Sequence, residues 1–140
     1  MPVPAERNAL QRAEPAIDSN SVILVIGGGL GITAQVCLEW ARRYRPTLLI
    51  VGRSTNSDAD EDPAIAGLQT AQEIRAALIR SMQLNEGTTP AQVEAKVRSL
   101  VRARELRRNL QAMRDAGASV RYISVDVRNE PRLRELIESH

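Results

Sequence analysis

Apolar residues follow two kinds of pattern along this chain. Val22 to Ile26 is an unbroken run of five, stopped by three glycines at positions 27, 28 and 29. Leu48 to Val51 is a second short run, again ended by glycine, in Val51-Gly52-Arg53-Ser54. Val120 to Val125 starts as an alternation and leads into Ser124-Val125-Asp126-Val127. Short Val- and Ile-rich runs bounded by glycine predict strands, the first of them buried on both faces. Elsewhere the apolar spacing changes to three and four, which predicts helices. The first runs from Leu30 to Tyr44, with Ile32, Val36, Cys37 and Trp40 on one face. Arg42, Arg43 and Arg45 crowd its end, where positive charge suits the helix dipole, and Pro46 stops it. A second spans Ile65 to Met82, with the stripe Leu68, Ala71, Ile74 and Leu78. A third opens at Thr89-Pro90-Ala91-Gln92, which supplies a capping threonine, proline at the first helical position and a glutamine placed for a capping box. Its stripe is Val93, Val97, Leu100, Ala103, Leu106, Leu110 and Met113, and Gly117 suits its C-terminal cap. Asn129 caps a last helix, from Glu130 to Ser139, with Leu133, Leu136 and Ile137 on one side.

Two strands joined by one helix make a right-handed βαβ unit and hence a parallel sheet, so the fold class is α/β. Residues Met1 to Asn20 are polar and proline-bearing and form an arm outside the domain. The acidic stretch Thr55 to Pro63, with Asp58, Asp60, Glu61 and Asp62, is a mobile loop on this reading. Arg102 to Arg108 is a solvated helix face carrying i,i+4 pairs, because Leu106 keeps the apolar period and Glu105 interrupts the charge run.

Composition narrows the picture. A length of 140 residues fits one domain, and 43% hydrophobic content with no Phe implies a core of Leu, Ile, Val and Ala. The net charge of +2 is too small an excess for a nucleic-acid binder. The pI of about 9.2 agrees with it once Lys96 is seen to be the lone lysine among arginines. Cys37 is the single cysteine, so there is no intrachain disulfide, and its helical position makes it a packed core thiol. The N-terminal stretch has no apolar signal region, and no run approaches the roughly 18 apolar residues of a membrane span. A cytoplasmic protein is expected, without nucleic-acid or membrane partners.

The glycines carry the candidate chemistry. Directly after a buried strand they let the backbone turn sharply and approach a bulky anion, and the first amides of the next helix can hold phosphate. Glycines also serve flexible turns that bind nothing. The end of the second strand bears on the choice of nucleotide. An acid there would favour a free ribose, whereas Arg53 can fork a phosphate and Ser54 adds a hydroxyl, which favours the 2′-phosphate of NADP. The alternative is an arginine that simply ends a strand at the surface. Asp126, at the end of the third strand, either accepts from an adenine amino group or caps a turn.

Three motifs in order, Val-Ile-Gly-Gly-Gly-Leu-Gly-Ile-Thr, Arg-Pro-Thr-Leu-Leu-Ile-Val-Gly-Arg-Ser and Ser-Val-Asp-Val-Arg, resemble the ketoreductase domains of polyketide and polyunsaturated-fatty-acid synthases. These belong to the short-chain dehydrogenase/reductase superfamily. Residues 89–117, with Ala103-Arg-Glu-Leu-Arg-Arg-Asn-Leu110, resemble a helical insertion of some such domains. The resemblance covers about residues 20–140. It implies a partial Rossmann fold over 21–140, with a three-stranded parallel sheet of order 3-2-1 and an inserted helical pair at about 65–117. It further implies that Gly27, Gly28, Gly29, Leu30, Gly31 and Ile32 lie along the cofactor pyrophosphate. Gly52, Arg53 and Ser54 would hold the 2′-phosphate of NADPH, and Asp126 with Val127 would flank adenine. Ile26 departs from the threonine frequent in the family, and Thr33 stands where many members have a last glycine. The Ser, Tyr and Lys with which the family reduces β-keto thioesters have no match. Tyr44 and Tyr122 lack the following lysine, Lys96 lies in the inserted helix, and His140 is terminal. No catalytic residue is assigned, and no metal is implied. The expectation is the cofactor-binding portion of an NADPH-dependent β-ketoacyl thioester reductase, cut before its catalytic region and inactive alone. The alternative is a non-catalytic nucleotide-binding, docking or assembly module. Strand one would be an open edge, prone to self-association or to pairing with a complementing synthase chain.

Overall fold

The structure, a computed structural model, describes residues 16–27, 29–54, 61–82 and 87–139. The expected arm up to residue 15, Gly28, loop residues 55–60 and His140 lie outside them. The elements run β1 (Val22–Ile26), α1 (Gly31–Tyr44), β2 (Thr47–Gly52), α2 (Pro63–Ala66), α3 (Ala71–Met82), α4 (Pro90–Asp115), β3 (Ser119–Ser124) and α5 (Glu130–Glu138). The strands form one parallel sheet with β2 in the centre, which is the expected 3-2-1 order. No helix among the described residues is long and apolar enough to cross a membrane.

Pairing register decides which side chains share a face. Ile23, Leu48 and Val120 form one row and Val25, Ile50 and Tyr122 the next. Both rows pack on Ala34, Cys37 and Ala41 of α1 and on Leu106, Leu110 and Met113 of α4. Strand residues alternate between faces, so Val22, Leu24 and Ile26 of β1 point the other way. That corrects the expectation of a first strand buried on both faces. Only Val25 of β1 is buried, while Val22 is 58% and Ile26 55% exposed. Central β2 is the strand buried on both sides, from Leu48 to Val51.

The expected face of α1 is corrected in part: Cys37 and Trp40 pack on the core, but Ile32 and Val36 do not. It buries its small residues, whereas Ile32 is 85% exposed and Val36 also faces solvent. Small side chains bring the helix backbone close to the sheet, and Cys37 fills that contact completely. Burial pushes its thiol pKa up, as suits a core thiol.

The predicted helix from 65 to 82 is two helices. Thr70 and Glu73 form a capping box that restarts the chain. Glu73 accepts from the Thr70 N–H (2.9 Å), and Thr70 Oγ1 accepts from the Glu73 N–H (3.2 Å). In α4 the predicted box of Thr89 and Gln92 is formed, and the predicted stripe is its buried face. The first half of that stripe, Val93 and Val97, packs on Ile65, Ile74 and Leu78 in a second cluster. The second half reaches the sheet. A Schellman motif ends the helix, with Gly117 N–H donating to Arg114 O (2.9 Å) and Ala118 N–H to Met113 O (3.2 Å).

Two residues of the arginine patch meet Glu61 at the end of the acidic stretch, which corrects both expectations at these positions. Arg104 forks Glu61 (2.7 and 3.1 Å), and Arg107 donates to the same carboxylate (3.0 Å). Arg104 also donates to the carbonyls of Ile65 and Leu68. These two arginines are therefore a tertiary clamp rather than a solvated face, and residues 61–68 are anchored by it.

Candidate functional site

Parallel pairing places the C-terminal ends of all three strands at one edge of the sheet. The pairing continues one residue beyond two of them: Gly27 N–H donates to Val51 O (3.0 Å) and Val125 N–H to Gly52 O (2.9 Å). The three loops are thereby held side by side. Between them and α4 lies a cleft of about 840 Å³, within the range of cofactor pockets. The structure brings Gly27, Gly29, Leu30, Gly52, Arg53, Ser54, Asp126 and Val127 together in its wall. Gly31 and Ile32 stand outside it, in the first turn of α1, and Gly28 lies outside the described residues.

The glycine loop fits an anion. Gly27 (φ +98°) and Gly31 (φ +58°) hold conformations that L side chains rarely adopt, and open space surrounds both Cβ positions. Leu30 precedes α1 in an extended conformation, and no side chain caps the helix. The amides of its first turn have no helical acceptor, and the first turn contains no acid that would repel phosphate.

Gly29 has a different reason to be glycine. It is buried, and a Cβ there would fall 2.5 Å from Leu106 Cδ1 of α4. The Asn109 side-chain amide donates to its carbonyl oxygen (2.7 Å). Helix α4 therefore holds the loop directly.

The second loop is positioned from β3. Tyr122 lies over Gly52, where a Cβ would come 2.6 Å from the phenol oxygen, and its hydroxyl donates to Ser54 O (2.7 Å). Burial pushes the Tyr122 pKa up, so the donor keeps its proton across the physiological range. Tyr122→Phe is expected to cost about 1 kcal/mol of stability, the usual net value of such a bond. A urea midpoint unchanged from the parent would show that the bond contributes nothing.

The turn that one reading of Asp126 expects is formed. Arg128 forks its carboxylate, with a closest contact of 2.6 Å, and the Arg128 N–H donates to it at 3.0 Å. These bonds hold its pKa down to about 2, with Arg53 adding to the positive field. The group is an ionised acceptor, already engaged.

Four residues of this site are given no place in it by the sequence. Tyr122 and Asn109 position the loops, while Arg98 and Arg102 of α4 line the cleft beside Arg53 and Arg128. Arg98 and Arg102 do carry a signal, an i,i+4 spacing in a row with Ala95, Ser99 and Ala103. Asp126 is the one acid among the described residues of this wall, against four arginines. No group of His, Cys, Asp and Glu suited to a metal ion occurs among the described residues. No family model matches the chain, and neither a curated protein nor a solved structure matches it significantly.

Proposed function

We propose that the cleft binds NADPH, and that the chain is the cofactor-binding portion of a cytoplasmic NADPH-dependent β-ketoacyl thioester reductase of polyketide or fatty-acid biosynthesis. The observation that carries this reading is a convergence. A glycine loop opening an uncapped helix, an arginine and serine at the end of β2, and the Asp126–Val127 turn after β3 all meet at one cleft. On this reading the glycine loop takes the pyrophosphate, Arg53 and Ser54 take the 2′-phosphate, and the turn after β3 borders adenine. NADPH supplies the hydride, while these residues bind and orient it. Reduction itself is assigned to residues beyond this set, since none here matches a Ser-Tyr-Lys group. Fluorescence titration of the chain is expected to give saturable NADPH binding about tenfold or more tighter than NADH, from the charged contacts to the 2′-phosphate. Equal affinities would remove the assignment of Arg53, and absence of NADPH binding would remove the whole reading.

A second reading, a docking or assembly module, is favoured by one observation. Val22, Leu24 and Ile26 expose an apolar row on β1, which has β2 as its single neighbour among the described residues. Such an edge suits a further strand from a second copy or from a complementing synthase chain. The two readings are compatible. NADPH binding decides the first, and sedimentation at micromolar concentration decides whether the edge self-associates.

A further inference from the structure

Helix α4 presents a second stripe beside its apolar one. Ala95, Arg98, Ser99, Arg102, Ala103 and Leu106 step by three and one, which puts them on one helical face, and all six line the cleft. At the helical rise this stripe runs about 16 Å along the cleft. Its alanines and serine keep the helix surface low, leaving room for a ligand against it. Its two arginines are exposed, and neither makes a hydrogen bond or ion pair with the described residues. Their neighbours behave differently, since Arg104 and Arg107 are taken up by Glu61. Arg98 also feels the Glu94 carboxylate one turn before it; even so, two exposed guanidinium groups one turn apart, on a cleft wall with one acid among its described residues, offer their donors to an anion.

We propose that the inserted helix is itself a wall of the nucleotide site, and that Arg98 and Arg102 bind phosphate groups of the cofactor. The inference rests on the NADPH reading above and deepens it. Arg102 stands one turn, about 6 Å, before Leu106, and Leu106 packs at Gly29. Arg102 therefore serves the pyrophosphate end next to the glycine loop, and Arg98 extends the positive wall along the cleft. The insertion then has two duties toward the same ligand. Leu106 and Asn109 fix the loop, and the arginines add charge.

The test compares NADPH dissociation constants for the parent chain, R98Q/R102Q, R98K/R102K and R53Q, with circular-dichroism melting of each. The glutamine pair is expected to melt like the parent and to bind NADPH at least about tenfold more weakly, because charged hydrogen bonds to phosphate are lost. The parent's affinity should also weaken with added salt more steeply than the variant's. The lysine pair keeps the charge but not the fork, so it should recover part of the loss. It also decides the matter should the glutamine pair melt early. Glutamine-pair affinity within twofold of the parent, while R53Q is weakened, would overturn the role of α4 and leave the NADPH reading standing. A lysine pair no better than the glutamine pair would overturn the phosphate assignment. A parent that binds no NADPH would overturn both proposals.

Discussion

Arg104→Met is expected to lower the unfolding free energy by about 2–4 kcal/mol. Breaking a buried ion pair from one side costs about 3–5 kcal/mol, and here residual exposure and the remaining Arg107 reduce that figure. The side chains of Arg104 and Glu61 are 19% and 18% exposed, so the pair is largely withdrawn from water. One guanidinium satisfies a carboxylate and two backbone carbonyls, and methionine replaces its stem but none of its donors. Glu61 would be left with Arg107, and the carbonyls of Ile65 and Leu68 would lose the donor that holds the 61–68 segment against α4. A pH signature accompanies the loss. The hydrogen bond from Arg104 holds the Glu61 pKa below its ordinary value. A depressed carboxylate contributes stability that is present above the unfolded pKa of about 4.3 and disappears as pH falls through the folded value. Parent and variant should therefore differ most at neutral pH and converge in acid. Urea unfolding at pH 7 and below pH 4 measures both effects, and a variant as stable as the parent at pH 7 would show that the clamp contributes nothing net.

That clamp also marks where sequence reasoning stops. Local rules hold for α4, whose cap, first proline, apolar stripe and terminal glycine are all short-range signals. They miss the partner of Arg104, which lies 43 residues away, because an i,i+4 rule considers one helix at a time. In α1 the error was one of size. Counting apolar residues selects Ile32 and Val36, but the sheet accepts the close approach of Ala34 and Ala41. The break before α3 was readable in Thr70-x-x-Glu73, a capping box hidden within an apolar period that continues across it. At the site, parallel pairing alone gathers Gly27, Gly52 and Asp126, since strand ends in such a sheet share an edge. The α4 wall is not readable in the sequence, because the spacing of Arg98 and Arg102 gives no indication of which surface the helix folds against.

Gly29→Val carries the largest expected functional effect, the loss of NADPH binding, together with about 1–3 kcal/mol of overpacking strain. Two causes lie behind it, and they can be separated. A Cβ at this position meets Leu106 Cδ1 at 2.5 Å and Leu110 Cδ2 at 3.4 Å, and both leucines are 1% exposed core. Valine would therefore push α4 away from the loop and strain the Asn109 bond to the Gly29 carbonyl, even without any cofactor. Gly29 also lines the cleft, so the same methyl groups would narrow the approach of a pyrophosphate. Adding Leu106→Ala makes room on the helix side alone. The double variant should recover part of the thermal stability lost by Gly29→Val, because the collision is removed, yet it should still fail to bind NADPH. Recovery of binding in the double variant would mean that glycine is required at position 29 for the helix and not for the phosphate. Undiminished NADPH binding by the single variant would remove the phosphate-loop assignment itself. The α4 contact thus changes what a negative result means. Loss of binding in Gly29→Val alone fits both causes, and the Leu106→Ala background is what tells a glycine kept for the ligand from one kept for the packing of α4.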